Sequence, residues 1–157
     1  MVRARGGQPI TQQRLNDILT DMRRIHPRPQ VQVLVLGDNN FRKMEYDPVQ
    51  VLGWLQNFLN EARTIEKSHV SVCTLLPSIE NKAVCDETFL QWDQSLKVIL
   101  DTEFEIINIQ KLFRKRNMDI REDLYGDDGV HLNHRGADIL AKKIFDSIRR
   151  LPHEFFE

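Results

Sequence analysis

Two aspartates and a histidine lie close together near the end of the chain. Asp127 and Asp128 precede Gly129, and His131 follows Asp128 by three residues. An aspartate at this spacing can hydrogen-bond one imidazole nitrogen and fix the tautomer, which leaves the other nitrogen free to act as a general base. The alternative is structural, with both aspartates in a solvated turn and Asn133 capping the helix that follows. The segment therefore indicates either a general-base pair or a helix-entry turn.

A second polar segment lies in the first third of the chain, where Gly37 and Asp38 precede Asn39 and Asn40. Gly37 permits a sharp turn, and the amide of Asn39 can then point an N–H donor towards a developing oxyanion. The alternative is an ordinary asparagine-rich turn, because asparagine tolerates a left-handed backbone and bonds its own main chain. On its own, this segment is more typical of the turn.

The sequence offers no clear nucleophile to accompany a general base. Ser78 follows an apolar segment and Pro77, but a serine in that place more usually caps or turns the chain. Cys73 lies within an apolar segment, where burial disfavours the thiolate. The other serines fall in predicted strands or helices, with no turn to expose them: Ser68, Ser71, Ser95 and Ser147. Because the histidines also lack the spacing of metal ligands, we expect neither a metal nor another cofactor.

Helical and extended segments alternate along the chain. Apolar periodicity predicts helices over 10–25, from Asp47 onwards, over 87–100 and over 134–150, and strands over 31–37, 69–77 and 104–109. This alternation indicates an α/β domain with a parallel sheet and right-handed crossovers. Functional residues of such sheets lie beyond the carboxyl ends of the strands, which is where both polar segments fall.

Composition narrows the classes of function. The chain has 157 residues, a formal net charge of −1 and 41% hydrophobic residues, which predicts a single domain over residues 1–157. The near-balance of charge argues against a uniformly basic nucleic-acid-binding surface. No apolar segment has the roughly 18 residues of a membrane span. Cys73 and Cys85 are expected to be reduced structural thiols, which predicts an intracellular, cytoplasmic protein that does not associate with membranes.

In combination, the short motifs resemble those of SGNH (GDSL-type) hydrolases, and more narrowly the SGNH-like domains of animal genomes and retroelement reading frames. GDNN at 37–40 resembles the third block of the family, and DDGVHLN at 127–133 its D-x-x-H block. TLLPS at 74–78 resembles the strand end between those blocks, and Arg5-Gly6-Gly7 the earlier glycine block. The resemblance implies a three-layer α/β/α fold with a flavodoxin-like parallel sheet.

The resemblance also implies a function and roles for individual residues. The family hydrolyses esters and other acyl compounds without a metal, so a small ester or acyl substrate is expected if the chain is active. By this resemblance His131 is the general base and Asp128 its orienting acid. Asn39 donates to the oxyanion through its side chain, and Gly6 or Gly7 through its backbone N–H.

The chain departs from the family pattern at several positions. Asp38 and Asn40 replace the usual small residue and the usual aspartate, and Asp93 stands where related domains often carry asparagine. The Gly-Asp-Ser block that carries the family's nucleophile does not occur in this sequence. We therefore expect a sheet without its first strand, a degenerate active site and little or no esterase activity.

Loss of the first strand would leave the segment 31–37 as an unpaired hydrophobic edge. Three explanations remain open: the chain is a fragment of a longer protein, it is a degenerate gene product, or the edge is covered. Residues 1–9 or a partner protein are the candidates for such a cover. The sequence favours the first two explanations, since Met1 is followed at once by what resembles the family's second strand.

The second function considered is RNA binding on the same fold. A related insect germ-plasm domain, OSK, keeps this fold and binds RNA without the catalytic residues. Here, Lys111, Arg114, Lys115 and Arg116 form a basic cluster beside Phe113, and the net charge over residues 111–121 is +4. Such a cluster can contact phosphates if its members gather in space, although a solvated loop is the more usual form of such a segment.

Overall fold

A computed structural model describes residues 9–25, 30–35, 47–80, 82–99 and 104–152. Along these residues helices and strands alternate, as the sequence predicts. The elements are α1 (Gln12–Ile25), β1 (Gln30–Leu34), α2 (Pro48–Ala62), β2 (Ser68–Cys73), α3 (Lys82–Ile99), β3 (Glu105–Ile107) and α4 (His134–Ile148). The charged segment between β3 and α4 contains two short 3-10 helices, Gln110–Phe113 and Glu122–Leu124.

The three strands form one parallel sheet in the order β1-β2-β3. The strands are shorter than predicted, and the end of β2 shows why. The N–H of Thr74 still bonds the carbonyl of Ile107 at 3.1 Å, but its hydroxyl accepts the N–H groups of Ile109 and Gln110 at 3.0 and 3.2 Å. The side chain of Thr74 thereby turns the chain after β3 away from the ladder, and Pro77 has no N–H with which to resume it.

Side-chain caps begin three of the helices. Asp47 accepts the N–H of Val49 at 3.0 Å, and Asn133 accepts the N–H of Gly136 at 3.0 Å. The hydroxyl of Thr11 accepts a backbone N–H in the first turn of α1 at 3.2 Å. Helix α3 begins at Lys82, five residues before the predicted start, because the apolar periodicity used to locate it begins only near its middle.

Helices cover both faces of the sheet, which confirms the three-layer architecture. On one face, Val70 and Val72 of β2 pack among buried residues of α1, α2 and α3 such as Leu15, Phe58 and Phe89. On the other face, α4 packs against Cys73, Ile107 and Ile109 through Leu140 and Ile144. Burial of each large apolar side chain stabilises the fold by about 1.5–3 kcal/mol.

Helical spacing predicts that Leu140, Ala141, Ile144, Phe145 and Ile148 of α4 face the core, but two of them do not. Ala141 is exposed, and Phe145 is 58% exposed with the guanidinium of Arg149 5.7 Å from its ring centroid. A single helix on a three-stranded sheet buries a narrow stripe, here centred on Leu140 and Ile144. The positions one residue further along each turn are rotated by about 100° out of that stripe.

Strand β1 stands at one end of the sheet, and among the described residues no strand pairs with its outer side. Val33 is half-buried and Val35, directly after the strand, is 40% exposed. That position agrees with an edge at 31–37, although 36 and 37 fall outside the described residues. Cover of this edge by residues 1–9 or by a partner remains a prediction. No helix in the described part of the chain is long and apolar enough to cross a bilayer.

Candidate active site

The loop that carries Asp128 and His131 lies at the carboxyl edge of the sheet. The N–H of Ile79, in the segment that follows β2, bonds the carbonyl of Gly129 at 3.0 Å. The hydroxyl of Tyr125, just before the loop, donates to the carbonyl of Pro77. Segment 74–79 therefore holds the loop at the position where the parallel fold predicts a functional crevice.

Backbone contacts fix the shape of this loop. Gly126 donates to the carbonyl of His131 at 2.8 Å, and Gly129 donates back to the carbonyl of Gly126 at 3.0 Å. Gly129 has a φ of +64°, and a Cβ there would stand 3.0 Å from the Cβ of Ile79. Glycine is therefore required by conformation and by close packing.

The end of the loop is anchored to the start of α4. The Asn133 amide donates to the carbonyls of Asp123 and Tyr125 at 2.9 and 3.0 Å while its oxygen caps the helix. Gly136 approaches the preceding segment so closely that a Cβ would lie 2.2 Å from the carbonyl oxygen of Leu124. Asn133 thus has the predicted capping role, and it also closes the base of the loop.

Asp128 binds His131 with both its carboxylate oxygens. Its Oδ1 accepts the backbone N–H groups of Val130 and His131, each at 2.9 Å. Its Oδ2 lies 2.6 Å from the Nδ1 of His131. Because an ionised carboxylate only accepts, Nδ1 carries the proton and the neutral ring presents Nε2 as a base. The two interpretations of this segment are therefore compatible, because Asp128 both shapes the turn and orients the imidazole.

The electrostatics and exposure of the pair suit proton transfer at an open surface. The hydrogen bond from the His131 ring, followed by the two backbone N–H groups, holds the pKa of Asp128 well below its usual range. Asp128 therefore remains ionised. The His131 side chain is 78% exposed, and its Nε2 makes no hydrogen bond within the described part of the chain.

The proposed oxyanion donors lie outside the described residues. This holds for Asn39 with its neighbours in 36–46, and for Gly6 and Gly7 in 1–8. Their approach to His131 remains a prediction. Asp127, the other acid of the motif, is exposed.

Four of the candidate nucleophiles, Cys73, Ser78, Ser71 and Ser147, are buried and unsuited to attack. Burial, followed by the charge of Glu105, raises the pKa of the Cys73 thiol to about 12. Ser78 is buried and its hydroxyl donates to the carbonyl of Glu80 at 3.4 Å, the turn role predicted for it. Ser71 and Ser147 are buried and donate to Glu105. Within the described residues, no three His, Cys, Asp or Glu side chains gather as a metal site would require.

One acidic residue at this edge gained no role from the sequence. Asp93, on α3, is only 7% exposed. Burial raises its pKa to about 6, against the lowering influences of the backbone N–H of Leu75 and the charges of Lys97 and Arg114. The sequence signal that could have revealed this residue is an aspartate at a position of an amphipathic helix where burial is expected.

The basic cluster divides into exposed and inward-facing members. Lys111, Lys115 and Arg116 are exposed. Arg114 is half-buried, and its Nη1 donates to the carbonyl of Met118 at 2.9 Å. Phe113 is completely buried, so its ring is not available for stacking on a base.

No protein-family model matches this sequence, and no curated protein matches it either. Solved structures do resemble it. The OSK domain of Drosophila Oskar aligns over 85% of this chain and 69% of its own, at 14% identity and a TM-score of 0.69. A GDSL-like lipase from Bacteroides thetaiotaomicron aligns over 92% of this chain and 75% of its own, at 18% identity and a TM-score of 0.67.

A third similar structure, from Streptococcus pneumonia, is described as a platelet activating factor. It aligns over 76% of this chain at 20% identity and a TM-score of 0.66, and the match spans only 59% of its own length. Identities this low establish a common fold and nothing finer. The chain has the α/β fold that GDSL-type hydrolases share with the OSK domain.

Proposed function

We propose that this chain carries the general-base half of an ester- or acyl-hydrolysing site. The observation that carries the proposal is the 2.6 Å contact between Nδ1 of His131 and Oδ2 of Asp128, with Nε2 of the same ring open to solvent. The similarity to a GDSL-like lipase supports it at the level of the fold. The substrate is a small ester or another acyl compound.

In this proposal, Nε2 of His131 removes the proton from a hydroxyl as that hydroxyl attacks the acyl carbon. Asp128 stabilises the imidazolium that forms, and His131 then returns the proton to the leaving alcohol. Asn39 and the backbone N–H of Gly7 stabilise the oxyanion. No metal takes part in these steps.

Cys73, Ser71, Ser78 and Ser147 are buried, and the sequence contains no Gly-Asp-Ser, so the chain by itself is expected to hydrolyse esters little or not at all. The test is p-nitrophenyl acetate hydrolysis, with His131→Ala compared against His134→Ala. The second variant removes an exposed histidine three residues further along the chain, at the start of α4. If Nε2 of His131 is open, the parent chain hydrolyses the ester slowly, at a rate above that of the buffer alone. This rate falls in His131→Ala but not in His134→Ala. Identical rates for both variants and the parent chain contradict it.

A fluorophosphonate probe tests for a nucleophile directly. We expect no serine of this chain to be labelled, as read by mass spectrometry of the digested protein. Rapid turnover abolished by His131→Ala, together with one labelled serine, would show that the chain holds a complete site.

Exposure of Lys111, Lys115 and Arg116 favours RNA binding as the second candidate function. Phosphate contacts would make binding weaken steeply with salt. A gel shift with a single-stranded RNA, at low and at moderate salt, tests this. The double variant Lys115→Glu/Arg116→Glu should weaken the shift, whereas the charge-matched control Lys142→Glu/Arg149→Glu, on α4 and directly after it, should not. Absence of a shift at low salt eliminates this function.

A further inference from the structure

Helices α1 and α2 enclose a partly open cavity between them, with a volume of about 230 Å³. Two of the residues that line it, Leu15 and Phe58, are buried and contribute apolar surface. All of its lining residues belong to α1 or α2, so the cavity is separate from the loop of the candidate active site. The other lining residues are Gln12 and Asn16 of α1, and Trp54, Asn57, Asn60 and Glu61 of α2.

Four carboxamide side chains line this cavity, two from each helix. All four residues are exposed, and none of these side chains makes a hydrogen bond to another residue that the structure describes. A neighbouring carboxamide on α1 behaves differently, since Gln13 donates to Asp17 at 2.9 Å. Each carboxamide has both an N–H donor and a carbonyl acceptor. The cavity therefore offers several donors and several acceptors to a bound molecule.

The charge of the cavity lining is already balanced. Glu61 is the one ionisable residue in the lining, and its carboxylate lies 2.7 Å from the guanidinium of Arg23. A surface without uncompensated charge does not attract a phosphate, a carboxylate or an ammonium group, and it does not repay their desolvation. The ligand that fits this lining is therefore neutral.

Trp54 adds an aromatic surface to the cavity. Its side chain is half-buried and packs against the core beneath α1 and α2, which holds the indole in place. An indole ring offers a large and rigid apolar face. A pyranose ring is complementary to this lining, because its C–H face is apolar while its hydroxyls both donate and accept. The volume is below the roughly 300–1,000 Å³ of sites for drug-sized ligands, so it suits one such ring.

We propose that the cavity between α1 and α2 binds a single neutral sugar residue, with its hydroxyls on the four carboxamides and its apolar ring face against Trp54. This binding is independent of the proposed hydrolysis, since the cavity contains no residue assigned to that reaction. A peptide main chain is the competing ligand, because it is also neutral and also carries donors and acceptors. It presents them along a line, however, whereas the small cavity surrounds one ring.

NMR of the side-chain NH₂ groups of the full chain tests this proposal. The probes are the methyl glycosides of glucose and of N-acetylglucosamine, each raised to about 50 mM, at which a site with a Kd of about 1 mM is nearly saturated. We expect at least one of them to shift the NH₂ signals of Gln12, Asn16, Asn57 and Asn60. The signal of Gln56, which is exposed on α2 outside the cavity, should not move. Methyl glucuronide, which adds a carboxylate to the same ring, should bind at least about tenfold more weakly.

Matched variants locate the site. Asn16→Ala/Asn57→Ala removes one exposed carboxamide from each helix and should weaken binding by about tenfold or more, whereas Gln56→Ala should leave the Kd unchanged. The single variant Asn60→Ala, also at an exposed position, serves if the double variant does not fold. In urea unfolding, the glycoside at about ten times its Kd should lower the unfolding constant of the parent chain by about elevenfold, and that of the double variant by less.

Three results would overturn the proposal. The first is the absence of any shift with both glycosides, and the second is binding of methyl glucuronide as tight as theirs or weakened equally by Gln56→Ala. The third is a response to the blocked dipeptide N-acetylglycine methylamide alone, which would identify a peptide site. No ester is hydrolysed in these measurements, so they can fail while the proposed hydrolysis succeeds, and the reverse.

Discussion

Two regions of this protein join a histidine to a carboxylate, at opposite ends of the same sheet. At the carboxyl edge, Asp128 and His131 form the pair described above. At the amino ends of β2 and β3, Nε2 of His69 lies 3.1 Å from Oγ of Ser71, and that hydroxyl donates to Glu105 at 2.8 Å. Ser147 of α4 donates to the other oxygen of Glu105. We call these the carboxyl-edge pair and the amino-edge cluster.

By residue type, the amino-edge cluster is the better match to a serine hydrolase, because it alone contains serine, histidine and a carboxylate. Its geometry excludes that role. Ser71 is fully buried, and its hydroxyl donates its hydrogen bond to Glu105. Its Oγ can therefore neither reach a substrate nor be activated by His69. The cluster instead connects the sheet to the end of α4. The two groups of residues therefore differ in solvent exposure and in which end of the strands they occupy, and these differences distinguish a candidate chemical site from a structural contact.

The largest effect on stability is expected at Gly136, where the loop of the carboxyl-edge pair is anchored to α4. Gly136→Ala would place a methyl group against the carbonyl of Leu124, and we expect a loss of about 3 kcal/mol in the free energy of unfolding by urea. Gly53→Ala is the matched control, since it lies in a helix with open space around it and should be stabilising by about 0.5–1 kcal/mol. Equal effects of the two changes would contradict close packing at Gly136.

Loss of Glu105 tests the structural role of the amino-edge cluster. Glu105→Ala leaves the buried hydroxyls of Ser71 and Ser147 without their acceptor, so we expect a loss of about 2 kcal/mol in urea unfolding. Glu66→Ala, at an exposed position just before β2, should change stability by less than about 0.5 kcal/mol. If Glu105→Ala also fell below that limit, the cluster would not connect α4 to the sheet.

The smallest change in stability is expected at the carboxyl-edge pair itself. His131→Gln removes a side chain that is 78% exposed, and it should alter the free energy of unfolding by less than about 0.5 kcal/mol. The pKa of Asp128 should nevertheless rise in this variant, because its largest lowering influence is the His131 ring. NMR of the carboxyl carbon from pH 1.5 to pH 6 measures this change.

The pKa of Asp128 is lowered whereas that of Asp93 is raised, so the two carboxyl groups affect stability with opposite dependence on pH. The depressed pKa of Asp128 gives a stabilising contribution that is present above the ordinary aspartate range and is lost as the pH falls below it. A carboxyl titration in the ordinary range in the parent chain would show that His131 does not bind Asp128 in solution.

Much of the fold followed from local pattern. The alternation of helices and parallel strands, the caps at Asp47 and Asn133, and the contact between Asp128 and His131 depend on residues close together in sequence. Strand lengths were overestimated, because the end of β2 depends on a contact from Thr74 to residues 35 and 36 positions away. Apolar periodicity contains no information about such contacts.

The residues of the candidate site divide in the same way. Local spacing predicted that Asp128 would orient His131, and the absence of Gly-Asp-Ser is a fact of the sequence alone. The burial of Asp93 became apparent only in the folded chain, since the burial of a carboxyl group depends on elements distant along the chain. Arg114 likewise counted as a free basic residue until its guanidinium was placed on Met118.

The sequence by itself determined the order of the elements, the turn that presents His131 and the absence of a Gly-Asp-Ser motif. Only the tertiary structure decided which histidine and carboxylate are open to solvent and which are partly buried. Residue type and spacing act over one or two turns of chain, whereas desolvation and access depend on every layer that packs above a side chain. That is why two similar sets of residues, at the two ends of one sheet, are assigned different roles.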